Sequence, residues 1–437
     1  MFAPLRNKLF WLLDEARGAK IKKQLREVSS INDFPFSDTS VSLRKKYLHQ
    51  ILQHCLDTVP FYREMDIEDL SLQKFPVLNK NAIRERQDRF LSDQYKKKRL
   101  YKASTSGSTG TPFTVLQDGR KRRRNSSDTL YFARKANYSL GAPLYFMRIW
   151  KGNDPGGHIR RFLQNVHQVD VTKLDDKKLR QLQDRLLRGN QNKSMLAYAS
   201  AYESICDYLD RNNPFYSTNK VKSIISMSET LPAHCSASLK KYFNCEAFAR
   251  YSNRENGILA QQVPGLGENY LINMASYHIE ILELDSDKVA GEGTIGRIVV
   301  TDFFNFSMPL IRYDTGDIGI RKRYHYKGRE FSIFSRIEGR RMDSVYNTSG
   351  QLLSSFIFPN RLRKYENIKQ FQFVQFAPRS YKFILNASPQ FSKEEKLIRE
   401  FSGLLGENAK LEIEYVEDIP LLSSGKRKKV LNTYRSV

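Results

Sequence analysis

SMLAYAS (residues 194–200) and VKSIISMS (221–228) are two apolar, strand-like runs separated by a helical pattern. A similar run, PLYFMRIW (143–150), and a helical pattern with a glycine stop, LDDKKLRQLQDRLLRG (174–189), precede them. Strand-like runs that alternate with helical patterns indicate parallel strands covered by helices. The sequence therefore predicts an α/β layered structure in the middle of the chain.

The regions on either side have a different character. Residues 40–110 are mostly helical in pattern, whereas residues 269–322 contain consecutive strand-like runs. After about residue 345 the pattern is that of a small α+β unit. We expect a large N-terminal domain, residues 1–340, with several subdomains (α/β layers plus a β-rich part). A small α+β C-terminal domain, residues 341–437, would follow it.

Composition limits the classes of partner. The 437 residues carry a formal net charge of +25, which favours an anionic partner such as nucleic acid, lipid headgroups or an acidic substrate. The basic clusters are short and scattered, and no zinc finger, RNA-reading aromatic motif or helix–turn–helix accompanies them. Nucleic acid is therefore not expected as the main partner. The four cysteines form no CxxC pair and suggest no disulfide framework.

The segment MFAPLRNKLFWLLDEARGAKIKKQL (1–25) leaves two interpretations open. Its apolar core is too short for a signal peptide, so we expect a cytoplasmic protein. The helical spacing of its apolar residues indicates an amphipathic helix packed on the domain. The alternative is a basic membrane-surface helix at the inner membrane face. The apolar positions are Leu5, Leu9, Leu12, Leu13 and Ala16, and the basic residues that follow are Arg17, Lys20, Lys22, Lys23 and Arg26.

Two segments suggest phosphate and metal chemistry. In STSGSTGTP (104–112), glycines let the backbone approach an anion, and successive amides can form an anion-binding concavity. The alternative is a solvated loop. In FARYSNRENGILA (248–260), a strand that ends at Tyr251 would bring Tyr251 and Glu255 to a ligand-binding sheet edge. A carboxylate there can hold Mg²⁺ that bridges phosphates, although a surface glutamate is the alternative.

Three later segments add further candidates. In PLIRYDTGDIG (309–319), a carboxylate in a tight turn can bind both ribose hydroxyls, although a plain hairpin would use the same residues. GRRMDSVYNTSG (339–350) has the position of a linker, with Asp343 as its hinge. In IPLLSSGKRKKVLN (419–432), Lys426 is either part of a basic tail or a lysine that a mobile domain carries to developing negative charge.

Taken in order, these five segments resemble the adenylate-forming superfamily of acyl-activating enzymes. The stretches TVPFYRE (58–64), FPVLNKNAIRER (75–86) and MPLIRYDTGD (308–317) are similar to the phenylacetate–coenzyme A ligase branch, including its CapK-like capsule-biosynthesis members. The resemblance implies activation of a small carboxylic or amino acid by ATP, with release of pyrophosphate. The acyl group of the adenylate would then be transferred to coenzyme A, or to an amine or hydroxyl of a cell-surface saccharide, with AMP as the leaving group.

The resemblance also implies roles for individual residues. The loop that closes on the β- and γ-phosphates of ATP would consist of Ser104, Thr105, Ser106, Gly107, Ser108, Thr109 and Gly110. The remaining nucleotide-binding residues would be Ser228, Glu229, Tyr251 against the adenine, Ser252, Asp317 on the ribose and Arg340 near it. Glu255 would bind Mg²⁺, Asp343 would be the hinge, and Lys426 would contact the α-phosphate and the carboxylate. Glu255 and Lys426 are the catalytic candidates.

The chain departs from the family pattern next to Glu255. Arg254 stands where the family often has threonine, and Ser252 replaces the usual glycine. Some members of the branch hold a cysteine-bound zinc here, but Gln261 and Gln262 occupy the neighbourhood, so no zinc is expected. Arg254 and the basic composition also motivate an alternative function. The chain would then be a non-catalytic adapter at the membrane surface in polysaccharide assembly.

Overall fold

The structure is a computed structural model of the chain. It describes residues 2–67, 69–105, 113–150, 164–172, 174–228, 231–340, 345–353, 357–362, 364–365, 367–420 and 429–434, without the side chains of residues 340, 359 and 360. The chain divides into two compact units, the first comprising residues 1–315 and 320–336 and the second residues 316–319 and 337–437. The predicted division at residue 340 stays a prediction.

The helices of the first unit surround and cover its sheet. In chain order they are α1 (Ala3–Ala16), α2 (Lys20–Asp33), α3 (Asp38–Thr58), α4 (Pro60–Arg63), α5 (Lys80–Glu85), α6 (Gly119–Lys135), α7 (Asp176–Leu187), α8 (Ala199–Asn212) and α9 (Ala233–Phe243), with short 3₁₀ turns at Leu72–Lys74, Gln87–Phe90 and Asp93–Tyr95. Side-chain caps fix several N-termini. Asp118, for example, caps α6 by accepting a 2.9 Å hydrogen bond from the Lys121 amide. No helix among the described residues is both long and apolar enough to cross a membrane.

An eleven-stranded sheet forms the body of the first unit, with the order β10-β11-β12-β13-β9-β8-β7-β6-β5-β3-β4. Its strands are β3 (Leu144–Arg148), β4 (Val166–Asp170), β5 (Lys193–Tyr198), β6 (Val221–Met227), β7 (Ala247–Asn253), β8 (Gly257–Gln262), β9 (Tyr270–Ile272), β10 (Tyr277–Leu282), β11 (Ile295–Asp302), β12 (Tyr313–Tyr326) and β13 (Arg329–Arg340). The pairs from β4 through β7 are parallel, and β7–β8, β8–β9, β9–β13 and β10–β11 are antiparallel. This arrangement confirms the predicted α/β layers and β-rich part.

A separate hairpin holds the two ends of the glycine-rich segment. Its strands, β1 (Tyr101–Ser104) and β2 (Thr114–Gln117), pair antiparallel, with Ser104 opposite Thr114.

The second unit is a small α+β structure, as the sequence predicts. It contains β14 (Val345–Tyr346), β15 (Leu352–Leu353), α10 (Ile357–Leu362), β16 (Ile368–Ala377), β17 (Ser380–Ala387), α11 (Glu394–Leu405), β18 (Lys410–Tyr415) and β19 (Val430–Asn432). Four of these strands form a sheet in the order β18-β17-β16-β19. Stacked aromatic rings fill its core, with Phe358 4.0 Å from Phe373 and 5.9 Å from Phe401 between ring centroids.

Two local predictions were wrong. Strand β7 continues to Asn253 and does not end at Tyr251, so Tyr251 lies within the strand and Glu255 lies in the turn that follows it. The segment containing Asp314 and Asp317 is not a tight turn, because Tyr313–Tyr326 is one continuous strand. Within this strand Gly316 has a φ of 79°, a backbone conformation that glycine adopts without strain. In both places the pairing of long strands outweighs local turn propensity.

Candidate functional site

The turn between β7 and β8 carries Glu255, which is only 6% exposed. One carboxylate oxygen, Oε1, accepts a 2.7 Å hydrogen bond from the hydroxyl of Tyr313. The other oxygen, Oε2, is buried and has no hydrogen-bond partner among the residues that the structure describes. A buried carboxylate oxygen without a partner is costly, so this atom is a candidate for contact with a cation.

Two hydrogen bonds fix the backbone of this turn. The side-chain amide of Gln117 donates to the Glu255 carbonyl at 3.0 Å, and the Tyr277 hydroxyl donates to the Asn256 carbonyl at 2.7 Å. Burial raises the pKa of Tyr277 well above its ordinary value, with a further contribution from Asp302, so the hydroxyl keeps its proton. The turn is therefore held at the carbonyls of Glu255 and of the residue that follows it.

A buried ion pair lies beneath Tyr277. The ammonium of Lys121 is 2.6 Å from Asp302, with both side chains fully buried, and also donates to the Tyr277 hydroxyl at 3.1 Å. A paired charge inside a protein needs such additional hydrogen bonds to offset its desolvation. The network Lys121–Asp302–Tyr277 thus connects α6, β11 and β10 to the turn that holds Glu255.

Tyr313 is itself positioned by the N-terminal part of the unit. Leu78 forms backbone hydrogen bonds with the residues on either side of Tyr313. The Leu78 amide donates to the Arg312 carbonyl at 3.1 Å, and the Leu78 carbonyl accepts from the Asp314 amide at 2.9 Å. The Tyr313 ring stacks on Phe113, with centroids 6.1 Å apart and an interplanar angle of 13°. Because Phe113 follows the predicted phosphate loop, Tyr313 connects the end of that loop to Glu255.

The described ends of the predicted phosphate loop are paired to one another. The Thr105 amide donates to the Phe113 carbonyl at 2.8 Å, and the hydroxyls of Ser104 and Thr114 are 2.8 Å apart. The Thr105 hydroxyl is buried and has no partner within the described residues. The central loop residues, Ser106 to Gly110, lie outside the described residues.

Tyr251 lies on the same strand as the Glu255 turn. Its hydroxyl is 3.4 Å from the Thr315 hydroxyl, which donates to the Ile298 carbonyl at 2.9 Å. The Tyr251 ring meets Phe334 edge to face at 6.0 Å. Its neighbour Ser252 is half-buried. The structure therefore places Tyr251 and Ser252 within β7 and Glu255 in the turn that follows it.

Ser228, at the end of β6, has a left-handed backbone with a φ of 71°. A serine in this conformation is strained, and such strain is concentrated at functional positions. Its predicted partner Glu229 lies outside the described residues.

The remaining predicted residues belong to the second unit. Asp317 is half-buried within β12, and Arg340 ends β13 with its side chain outside the description. Asp343 and Lys426 also lie outside the described residues. Their roles remain predictions.

Gln261 and Gln262, which occupy the neighbourhood where some relatives hold zinc, are engaged in hydrogen bonds. The Gln261 amide bonds to Arg250 and to the Phe132 carbonyl at 2.8 Å each, and Gln262 bonds to the backbone of Ala249 and Glu268 at 2.9 Å each. In the described part of the chain, no three His, Cys, Asp or Glu side chains group as metal ligands. Arg254 is exposed, and burial lowers the pKa of Arg250 to about 10.

Comparison with known proteins places these features in a family context. The segment from 345 to 433 matches the CapK C-terminal domain family. The chain is also homologous to the protein CapK of Staphylococcus aureus, with 24% identity over 388 residues, which cover 84% of this chain and 81% of CapK. The homology to CapK therefore extends well beyond the C-terminal domain.

Solved structures identify the fold. A 2-hydroxyisobutyryl-CoA ligase crystallised in the postadenylation state is similar over 92% of this CapK homologue and 91% of the ligase, with a TM-score of 0.71 and 13% identity. ATP-bound MatB from Rhodopseudomonas palustris is similar over 75% of this chain and 66% of MatB, with a TM-score of 0.55 and 15% identity. The CapK homologue therefore has the fold of the adenylate-forming enzymes.

Sequence reasoning missed the residues that hold the site in place. Gln117 and Tyr277 contact the Glu255 turn from elements far apart in the chain, and Lys121 in turn bonds to Tyr277. No local pattern marks these residues. Tyr313 stands inside the PLIRYDTGDIG segment, so its position was visible, but its contact with Glu255 was not. Only the paired strands show which carboxylate this hydroxyl meets.

Proposed function

We propose that this protein activates a small carboxylic or amino acid with ATP to form an acyl-adenylate and release pyrophosphate. The observation that carries the proposal is the buried Glu255 carboxylate, whose Oε2 has no partner among the described residues. An isolated buried charge is expensive, and it is retained where a ligand compensates it. The fold shared with the adenylate-forming ligases supports the same reaction class.

The residues of the site fit Mg²⁺ as the compensating ion. Mg²⁺ is usually held by one or two carboxylates together with substrate phosphates, and Glu255 offers one carboxylate oxygen that no described residue contacts by a hydrogen bond. When bound, the ion would neutralise charge on the phosphates of ATP. Tyr313, by donating to Oε1, keeps Oε2 oriented for that contact.

The nucleotide is proposed to bind to the residues around this carboxylate. The loop from Ser104 to Gly110 would hold the β- and γ-phosphates with backbone amides and hydroxyls. Tyr251 would lie against the adenine, beside Ser252 and the Ser228–Glu229 segment. Asp317 would accept the ribose hydroxyls with Arg340 near it, and these last assignments rest on the family resemblance.

The chain's own groups would then stabilise charge as it develops. The substrate carboxylate attacks the α-phosphorus, the new acyl–phosphate bond forms, and the bond to pyrophosphate breaks. Lys426 would neutralise charge on the α-phosphate and the carboxylate, an electrostatic contribution typical of such sites. Movement of the C-terminal domain at Asp343 would afterwards withdraw Lys426 and admit the acceptor.

The acceptor is proposed to be the thiol of coenzyme A, or an amine or hydroxyl of a surface saccharide. The first is supported by the 2-hydroxyisobutyryl-CoA ligase, solved with its adenylate and CoA in the thioesterification state. The second, with a role in capsule polysaccharide synthesis, is supported by the homology to CapK. The Glu255 oxygen that lacks a partner among the described residues favours this enzyme over a non-catalytic adapter, because an adapter would not need a cation ligand there.

Exchange of labelled pyrophosphate into ATP, in the presence of a panel of carboxylic and amino acids, tests the proposal. We expect exchange that depends on one class of acid and on Mg²⁺. Lys426→Ala should reduce exchange about a hundredfold or more while ATP still binds. Lys428→Ala, in the same basic segment, is the matched control and should retain exchange. ATP binding without exchange for any acid would contradict the enzyme and favour the adapter.

A further inference from the structure

Helix α1 presents an apolar stripe to solvent. Phe2, Leu5, Leu9, Leu12 and Leu13 are respectively 59, 60, 38, 61 and 43% exposed. At about 100° per residue, these five positions lie within roughly 100° of arc on one side of the helix. Four of them are leucines of the apolar face that we expected to pack on the domain. That expectation was wrong for these leucines, because they face solvent.

The opposite side of α1 anchors the helix to the first unit. Phe10 and Trp11 pack against the core cluster that contains Leu25, Leu130 and Ile333. The buried carboxylate of Asp14 accepts hydrogen bonds from the amides of Ile21 and Lys22, at 3.0 and 2.9 Å, and so fixes the start of α2. The stripe is therefore not what holds the helix in place.

Exposed cations accompany the stripe. Residues 2–26 contain seven basic and two acidic residues. Both acids are engaged, since Asp14 is buried and Glu15 pairs with Lys22 at 2.6 Å. Within the described structure, Lys8, Arg17, Lys20, Lys23 and Arg26 form no ion pair. The helix pair α1–α2 therefore combines exposed apolar area with uncompensated positive charge.

We propose that this α1 stripe docks the protein on the surface of an anionic lipid bilayer. An apolar helix face with flanking basic residues is the combination that inserts shallowly at a headgroup boundary. A second copy of the chain is a poorer occupant, because a symmetric contact would place the same cations against one another. The net charge of +25 adds long-range attraction to anionic lipid.

Co-sedimentation of the full chain with lipid vesicles tests this inference. We expect binding to vesicles of phosphatidylethanolamine with phosphatidylglycerol, weaker binding at high salt, and little binding to phosphatidylcholine vesicles. The triple variant Leu5→Gln, Leu9→Gln, Leu12→Gln should bind anionic vesicles more weakly, by a factor of about ten at least. The control, Phe215→Gln with Val289→Gln, alters exposed apolar residues elsewhere and should bind like the unaltered chain.

The outcomes separate this inference from the proposed adenylation. The triple variant should keep its melting temperature and its pyrophosphate exchange, because α1 lies outside the candidate site. Unchanged vesicle binding by the triple variant would overturn the inference. So would equal binding to neutral vesicles, or a solution dimer of the unaltered chain that the three substitutions abolish.

Discussion

The hydroxyl of Tyr313 donates to Glu255 Oε1 at 2.7 Å and leaves Oε2 of the same buried carboxylate without a described partner. The two residues are 58 positions apart in the chain and meet because the turn after β7 faces the start of β12. Since the Tyr313 ring also stacks on Phe113, this contact relates the predicted phosphate loop to the candidate metal ligand.

Two buried glutamates should respond oppositely to loss of charge. Glu280 pairs with Arg312 at 3.1 Å, and Glu280→Gln leaves that arginine unpaired, at a cost of about 3–5 kcal/mol of unfolding free energy. Glu255→Gln removes a buried charge without a described cationic partner, so stability should hold or rise. Exchange should nevertheless fall about a hundredfold or more. Denaturant unfolding measures the stability, and the pyrophosphate exchange assay measures the activity. If Glu255→Gln were as destabilised as Glu280→Gln, Glu255 would not be a buried charge that lacks a cationic partner.

Tyr313→Phe should impair the reaction through Glu255. Loss of a hydrogen bond to a charged group costs about 1.5–3 kcal/mol, so exchange should fall about 10- to 100-fold, with a higher Mg²⁺ requirement. Tyr216→Phe is the matched control, because the buried Tyr216 hydroxyl has no partner in the described residues. An unchanged Mg²⁺ dependence in Tyr313→Phe would show that the contact does not orient the carboxylate.

Gly257 begins the strand after the Glu255 turn with a φ of 119°. An added Cβ would lie 2.8 Å from the Asn125 side-chain oxygen and 3.0 Å from the Tyr277 hydroxyl, so in Gly257→Ala either the turn or these side chains must shift. We expect a loss of about 1–3 kcal/mol and a drop in exchange. Gly293→Ala, with a φ of 78° and open space around its Cβ, should cost about 1 kcal/mol and leave exchange intact. Equal exchange in both variants would count against the role of the turn.

His278 should make stability depend on pH. Burial lowers its pKa to about 4, with further contributions from Arg321, Arg44 and Arg312. The histidine of the unfolded chain titrates near 6.5. The contribution of His278 to the stability of the folded state is therefore fully present above that pH and is lost as the pH falls toward 4. Between pH 7 and pH 5, unfolding free energy should drop about 2 kcal/mol more in the unaltered chain than in His278→Gln. Parallel pH profiles for the two proteins would contradict the shifted pKa.

Local patterns were sufficient where an element is built from neighbouring residues. The alternating apolar and helical runs predicted β3, β5, β6 and α7, because side-chain periodicity follows directly from backbone geometry. The same reasoning put the end of β7 two residues too early, at Tyr251, but it recognised that Glu255 follows this strand. The same reasoning failed at Asp314–Asp317, where a turn-like sequence is carried through a strand by its neighbours in the sheet.

By itself, the sequence determined the fold class, the resemblance to adenylate-forming enzymes and the identity of the candidate carboxylate. Tertiary structure alone decided that one oxygen of that carboxylate is occupied by Tyr313, that Gln117 and Tyr277 hold its turn, and that the leucines of α1 face solvent. The physical reason is that burial and pairing depend on residues far away in the chain. Periodicity shows that a helix has an apolar face, but only packing shows whether the protein or the solvent covers it.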